Sequence, residues 1–162
     1  MMTVRQCPVP QGSLLESYGG AGDYRDCFER GVPGEISLED FIYRFYRSRA
    51  FLPERLVLKA LGKPASTADA RALAGGKTDH FGVWKVAGRL ADQILLESKP
   101  TGTASWFAVE AIDGGEQSSS SEAVGQHTRL FFGSWVGSIG ESGWKAMLEP
   151  HLWYSRALLE AV

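Results

Sequence analysis

The sequence has few of the residues that build a covalent or metal-held framework. Its two cysteines, Cys7 and Cys27, form no CxxC pair. Two thiols cannot make a metal cage alone, and a single disulfide is possible but not needed. Free thiols in the cytoplasm are the default expectation. No apolar run approaches the ~18 residues of a membrane span. No charged-then-apolar leader opens the chain, so neither a membrane span nor secretion is expected. A charge excess is missing too: 17 Lys and Arg stand against 19 Asp and Glu, a net charge of -2. Nucleic acid needs a clustered positive field. The local basic set Arg44, Arg47 and Arg49 is interleaved with Tyr and Phe and reads as the solvated edge of an amphipathic helix. Nucleic acid is therefore not an expected partner.

Catalytic signatures are also missing. His80, His127 and His151 lie far apart and match no HExxH spacing. The run Gly137 to Gly143 follows a strand pattern and precedes a helix, yet it lacks the GxxxxGK[ST] spacing of a phosphate cradle. Gly133-Ser134-Trp135-Val136-Gly137 is out of register for a nucleophile elbow. Ser118 to Ser121 fall in a polar loop, where serine is ordinary. Cys27 lies beside Asp26 and Arg25, but a buried strand cysteine is usually inert. No catalytic residue, metal ligand or cofactor is assigned, and an enzyme is the less favoured expectation.

What is present is an ordinary apolar supply, 44% of the chain, with five Trp and eight Phe. At 162 residues the chain suits one domain. Pro8, Pro10, Gly12 and Gly19-Gly20 mark residues 1–22 as an N-terminal arm packing on that domain, with one helical turn at Leu14-Leu15. Tyr24 and Phe28 flank Asp26 on one face of an alternating pattern, which predicts a strand over 23–30. Ser37 can cap a helix whose stripe is Leu38, Phe41, Ile42 and Phe45. A second helix opens at Pro53, with Leu56, Val57, Ala60 and Leu61 expected to face the core. A third, short helix covers 66–74.

The period then changes. Segments 80–89, 92–97, 104–112 and 128–136 read as strands whose connections, all but that over 113–126, are short, which argues antiparallel hairpins. Residues 113–126, rich in Gly and Ser, are expected to form a mobile, solvated loop. A final helix over about 142–161 carries Trp144, Leu148, Leu152, Leu159 and Val162 on one face. Pro150 either kinks it or starts a new helix. Helices segregated to one side of an antiparallel sheet define an α+β fold, here a curved sheet packed on a long C-terminal helix.

Several segments together resemble a known family. They are Val9-Pro10-Gln11-Gly12-Ser13-Leu14-Leu15 with Asp23-Tyr24-Arg25-Asp26-Cys27-Phe28, Val83-Trp84-Lys85-Val86, Asp92-Gln93-Ile94-Leu95-Leu96, Thr128-Arg129-Leu130, and Pro150-His151-Leu152-Trp153-Tyr154-Ser155-Arg156-Ala157-Leu158-Leu159. This ordered set resembles a bacterial domain family of unknown function that is similar to the helix-grip superfamily, which includes START and polyketide-cyclase-like domains. The resemblance implies that residues 23–162 are a single helix-grip-like domain, a sheet gripping the last helix around an apolar cavity. It implies ligand binding and no particular catalytic residue. The strands counted here are fewer than the seven usual in that superfamily.

Trp84, Trp106 and Trp135 fall near the middle of three strands and either line such a cavity or fill it. Leu152 and Tyr154 would face them from the last helix. His151 shares successive turns with Tyr154. An imidazole there could serve a pocket, but the plainer expectation is a packed histidine with one backbone partner, since no orienting group is evident. Glu97, Glu110 and Arg129 suit a cross-strand ion pair, and Arg129 would anchor a polar ligand end only if it faced the cavity. The expected ligand-binding set is thus Trp84, Trp106, Trp135, Arg129, His151, Leu152 and Tyr154. The expected partner is an apolar small molecule. A filled structural or interaction module and a cyclase- or isomerase-like enzyme stand as alternatives.

Overall fold

The computed structural model describes residues 3–112, 125–137 and 144–162, with the backbone alone over 144–147. The elements are β1 (Arg5–Gln6), α1 (Leu14–Ser17), β2 (Tyr24–Pro33), α2 (Leu38–Arg47), α3 (Leu52–Ala60), α4 (Thr67–Ala74), β3 (His80–Phe81), β4 (Trp84–Arg89), β5 (Gln93–Ser98), β6 (Thr103–Ile112), β7 (His127–Val136) and α5 (Trp144–Glu160). The strands form one seven-stranded sheet in the order β1-β2-β7-β6-β5-β4-β3. Each pairing is antiparallel. The fold is α+β, with the C-terminal helix present.

Two strands were not legible in the sequence. The arm supplies β1, an edge strand of two residues paired with β2 at Arg5↔Glu29. The segment expected as one strand over 80–89 breaks at Gly82, whose φ of +59° suits a chain reversal that glycine adopts readily. That reversal lays Phe81 against Trp84 as β3 and β4.

Strand alternation divides the buried residues between two faces. The inner face carries Phe28, Ile94, Leu96, Phe107, Leu130 and Phe132, and the helices cover it. The outer face carries Cys27, Leu95, Trp106 and Phe131, covered by Leu15, Leu14, Val9 and Tyr18 of the arm.

On the inner side, α2 forms as its stripe predicts. Ser37 Oγ accepts from Asp40 N at 3.0 Å. Leu38, Phe41, Ile42, Phe45 and Tyr46 are buried. The Phe45 ring meets Phe107 at 4.7 Å and Phe132 at 4.8 Å between centroids, tying the helix to two strands. Burying each such side chain stabilises by ~1.5–3 kcal/mol.

α3 corrects an expectation. Leu56, Val57 and Leu61 point to solvent, 60%, 59% and 64% exposed, and Ala60 is exposed as well. The buried position of the helix is Leu58, with Phe51 buried just before it. Glu54, one turn before Leu58 on the same face, also turns inward. The stripe with the most apolar residues is not the inward one, because a carboxylate occupies the inward face.

α4 starts with a reciprocal capping box between Ser66 and Asp69. It ends against Arg89 of β4, whose guanidinium donates to the carbonyl oxygens of Leu73, at 2.8 Å, and Ala74. α5 runs continuously through Pro150, which settles the choice between a kinked and a restarted helix in favour of one helix. Leu158 and Leu159 are buried and Ser155 packs with them, while Trp153 is exposed. Arg30 of β2 donates to the carbonyls of Leu159 and Glu160 at 3.2 and 2.9 Å, fixing the helix end on the sheet.

The loop expected over 113–126 lies outside the described residues from 113 to 124, as do 138–143 and the side chain of Trp144. Among the described residues, no helix is long and apolar enough to cross a membrane.

Candidate functional site

The inner face is not filled throughout. Near the ends of β6 and β7 that carry Thr103 and Val136, a pocket of about 290 Å³ opens between the sheet and α5. α2 contributes Phe45 and Tyr46, the residue before α3 contributes Phe51, and the first turn of α3 contributes Glu54. The sheet contributes Trp84, Ser105, Phe132 and Ser134, and α5 contributes His151, Tyr154, Ser155 and Leu158. The walls are aromatic, with hydroxyls and two ionisable groups set among them.

His151 has an orienting partner. Asp26, only 3% exposed, lies opposite Ser134 in the β2–β7 ladder. Its Oδ1 accepts from Ser134 N at 3.1 Å and its Oδ2 from the Tyr24 hydroxyl at 2.8 Å. The same Oδ2 lies 3.1 Å from His151 Nε2. A carboxylate so fully bonded holds the imidazole in one orientation at the pocket wall. Burial first, and then Asp26, push the Tyr24 phenol well above its ordinary pKa. Tyr24 therefore acts as a hydroxyl donor here.

Glu54 is the second ionisable group. Its Oε2 is buried and has no hydrogen-bond partner among the described residues. Burial raises its pKa, partly opposed by the Tyr154 hydroxyl beside it. That hydroxyl donates to the Ala50 carbonyl at 3.2 Å. Tyr154 and Tyr46 are themselves pushed up by burial, with the Glu54 carboxylate adding to the shift.

The structure brings together Trp84, His151 and Tyr154 from the expected set. Trp135 borders the pocket through its place in β7, but its indole lies on the outer face. There it packs edge-on to Tyr18 at 4.9 Å and donates to Asp23 at 3.0 Å. Trp106 is buried on the outer face and donates to Gln93 Oε1 at 3.0 Å. Arg129 is on that face too, 3.2 Å from Glu110 and 3.7 Å from Glu29. The cross-strand pair is thus Arg129 with Glu110, while Glu97 accepts from the Tyr18 hydroxyl at 2.6 Å. Leu152 packs partly buried against the inner core, outside the pocket lining.

Sequence reasoning missed Asp26 and Glu54. Asp26 reaches His151 across the whole chain. Glu54 follows Pro53 in a first helical turn, where an acid is ordinary. Among the described residues, no group of three His, Cys, Asp or Glu is placed to hold a metal. In comparisons with known proteins, no family model, no curated protein and no solved structure matches this chain.

Proposed function

We propose that this chain is a small-molecule binding domain of helix-grip type, taking a compact, largely apolar ligand between the sheet and α5. The observation that carries the reading is the aromatic-walled pocket with a buried carboxylate oxygen at its wall that has no hydrogen-bond partner among the described residues. Protein interiors rarely leave such an atom unserved. The strand order, with β2 closing onto β7 and the last helix across the inner face, agrees with the helix-grip reading. The pocket volume lies at the small end of the ~300–1,000 Å³ typical of ligand sites, which suits a ligand of one or two rings.

Titration with naphthalene, followed by the fluorescence of Trp84, tests the reading. Saturable change is expected in the wild type and in Arg129→Gln, whose side chain lies on the other face. Ser105→Phe, which fills the pocket from the sheet, should abolish it. A response unaltered by Ser105→Phe, or no response in the wild type, would count against the reading.

A second reading, a cyclase- or isomerase-like enzyme, draws on the Asp26-held His151 beside the same pocket. An oriented imidazole and a carboxyl of raised pKa are the groups that proton transfer needs. It predicts turnover of a bound enolisable ketone that Asp26→Asn slows while leaving binding intact. Binding without turnover favours the first reading.

A further inference from the structure

Resting on the binding reading, we infer that the ligand presents an amine cation to Glu54. Glu54 lines the pocket, and its Oε2 is buried at that wall with no hydrogen-bond partner among the described residues. A carboxylate offers only acceptors, and the Tyr154 hydroxyl beside it already donates to the Ala50 carbonyl, so a ligand donor would complete its bonding. The described lining residues include neither Lys nor Arg, and the imidazole of His151 is held by Asp26. A ligand carboxylate would therefore meet Glu54 with no cation assigned to it, whereas an ammonium would complete an ion pair. The rings of Phe45, Tyr46, Phe51, Trp84, Phe132 and Tyr154 surround the site, and aromatic faces attract a cation. Arg129, the natural anchor for an acidic ligand, stands on the opposite face of the sheet. With Glu54 ionised, a fatty acid is thus the wrong class for this pocket.

Among the described residues lining the pocket with Glu54, the titratable groups are Tyr46 from α2 and Tyr154 and His151 from α5, with Asp26 of β2 behind the imidazole. Burial favours the neutral form of Glu54, while a cationic ligand requires the charged form. Affinity for the amine should therefore rise with pH through the raised pKa of Glu54, with release of a proton on binding.

Calorimetric titration with tryptamine, tryptophol and indoleacetate tests this class directly, since the three share a ring and differ in charge. Tryptamine should bind at least about tenfold tighter than indoleacetate, roughly one charged hydrogen bond of difference. Glu54→Gln should remove that advantage and change tryptophol by less than about threefold. Equal binding of all three, unchanged by Glu54→Gln, overturns the amine class and leaves the pocket reading standing. If none of the three binds while naphthalene does, the class again falls alone. If naphthalene fails as well, the pocket reading falls with it.

A separate observation carries a second inference: Cys7 and Cys27 are a modification site, oxidised by a hydroperoxide to an intramolecular disulfide. Cys7 follows β1 directly opposite Cys27, its N–H donating to the Cys27 carbonyl at 2.9 Å, and the two sulfurs lie 3.4 Å apart. Both are free thiols, Cys7 half-buried and Cys27 buried. Their hydrogen bond lowers the pKa of Cys7 and, together with burial, raises that of Cys27. The Cys7 thiolate attacks the terminal peroxide oxygen, the O–O bond breaks, and the alcohol leaves with a proton. Cys27 sulfur then displaces water from the Cys7 sulfenic acid. Two thiols lose two electrons in total, and the hydroperoxide becomes alcohol and water. The bond would clamp the arm that covers the outer face. Treatment of the native protein with cumene hydroperoxide should remove the mass of two hydrogens, give a Cys7–Cys27 linked peptide and raise Tm. In Cys27→Ser, Cys7 should instead stop at a trappable sulfenic acid. A wild-type protein that accumulates sulfenic acid at Cys7 while Cys27 stays alkylatable would overturn it, as would no oxidation at all.

Discussion

The two faces of the sheet satisfy their polar groups differently. On the outer face the Trp106 N–H reaches Gln93, the Trp135 N–H reaches Asp23 and the Tyr18 hydroxyl reaches Glu97. Arg129 sits between Glu29 and Glu110. On the inner face Asp26 is fully bonded, yet Glu54 Oε2, buried at the pocket wall, has no hydrogen-bond partner among the described residues. One face is closed by its arm, and the other keeps unused bonding capacity where the helices stand away from the strands. Under the binding proposal, spare polar capacity beside open apolar volume sets the inner face apart, more clearly than aromatic content does. Both faces hold tryptophan.

The largest contrast should come from those tryptophans. Trp106→Ala, at 1% exposure in the closed outer layer, should cost about 3–5 kcal/mol of stability. Trp84→Ala, at the pocket wall, should cost about 1–2 kcal/mol, because open volume already adjoins the ring. Urea unfolding gives both values, and an equal or reversed order would break the comparison. Next in size is Gly133→Ala. A Cβ there would lie 2.5 Å from Leu15 Cδ2 and 2.9 Å from the Asp26 carbonyl oxygen. The close approach of arm to sheet depends on that bare position, so a loss of about 2 kcal/mol is expected from the unfolding midpoint.

Glu54→Gln should move stability the other way. Burial raises the folded carboxyl pKa above its unfolded value. Such a group costs nothing below the unfolded pKa, and its penalty develops as pH rises through the folded pKa. Replacing it should stabilise the protein by up to about 1 kcal/mol at neutral pH and hardly at all at pH ~4. Paired melting curves at the two pH values check this. Destabilisation at neutral pH would mean that the carboxylate is structural. The smallest change belongs to Arg129→Met on the outer face. A partly exposed ion pair contributes less than ~1 kcal/mol, and 1 M salt should erase most of the difference from wild type.

The helices facing the inner layer were readable where one stripe was apolar and its opposite polar, as in α2 with Ser37 before it. The ladder from β4 to β6 was readable from its short connections, and β7 from its own alternation after the long 113–126 connection. The assignment of faces was not. In β6 the inward Phe107 and Val109 alternate with the outward Trp106 and Ala108, so both parities are apolar. With helices on one side and an arm on the other, alternation no longer tells inside from outside. That is why Trp84 and Trp106 looked equivalent. α3 failed for a related reason, since its solvent-facing stripe is more apolar than its buried one. The pairing of Asp26 with His151 depends on where α5 crosses β2, a tertiary fact without a local signature. β1 is too short for any pattern to form.

The most direct test of the account is the movement of indole N–H resonances in an amide-proton NMR titration with tryptophol, with Trp84 and Trp106 assigned by substitution to Phe. The account predicts that the Trp84 signal shifts saturably while the Trp106 signal, bonded to Gln93 behind the sheet, stays still. Matching shifts at both indoles, or a shift at Trp106 alone, would contradict a ligand site confined to the inner face.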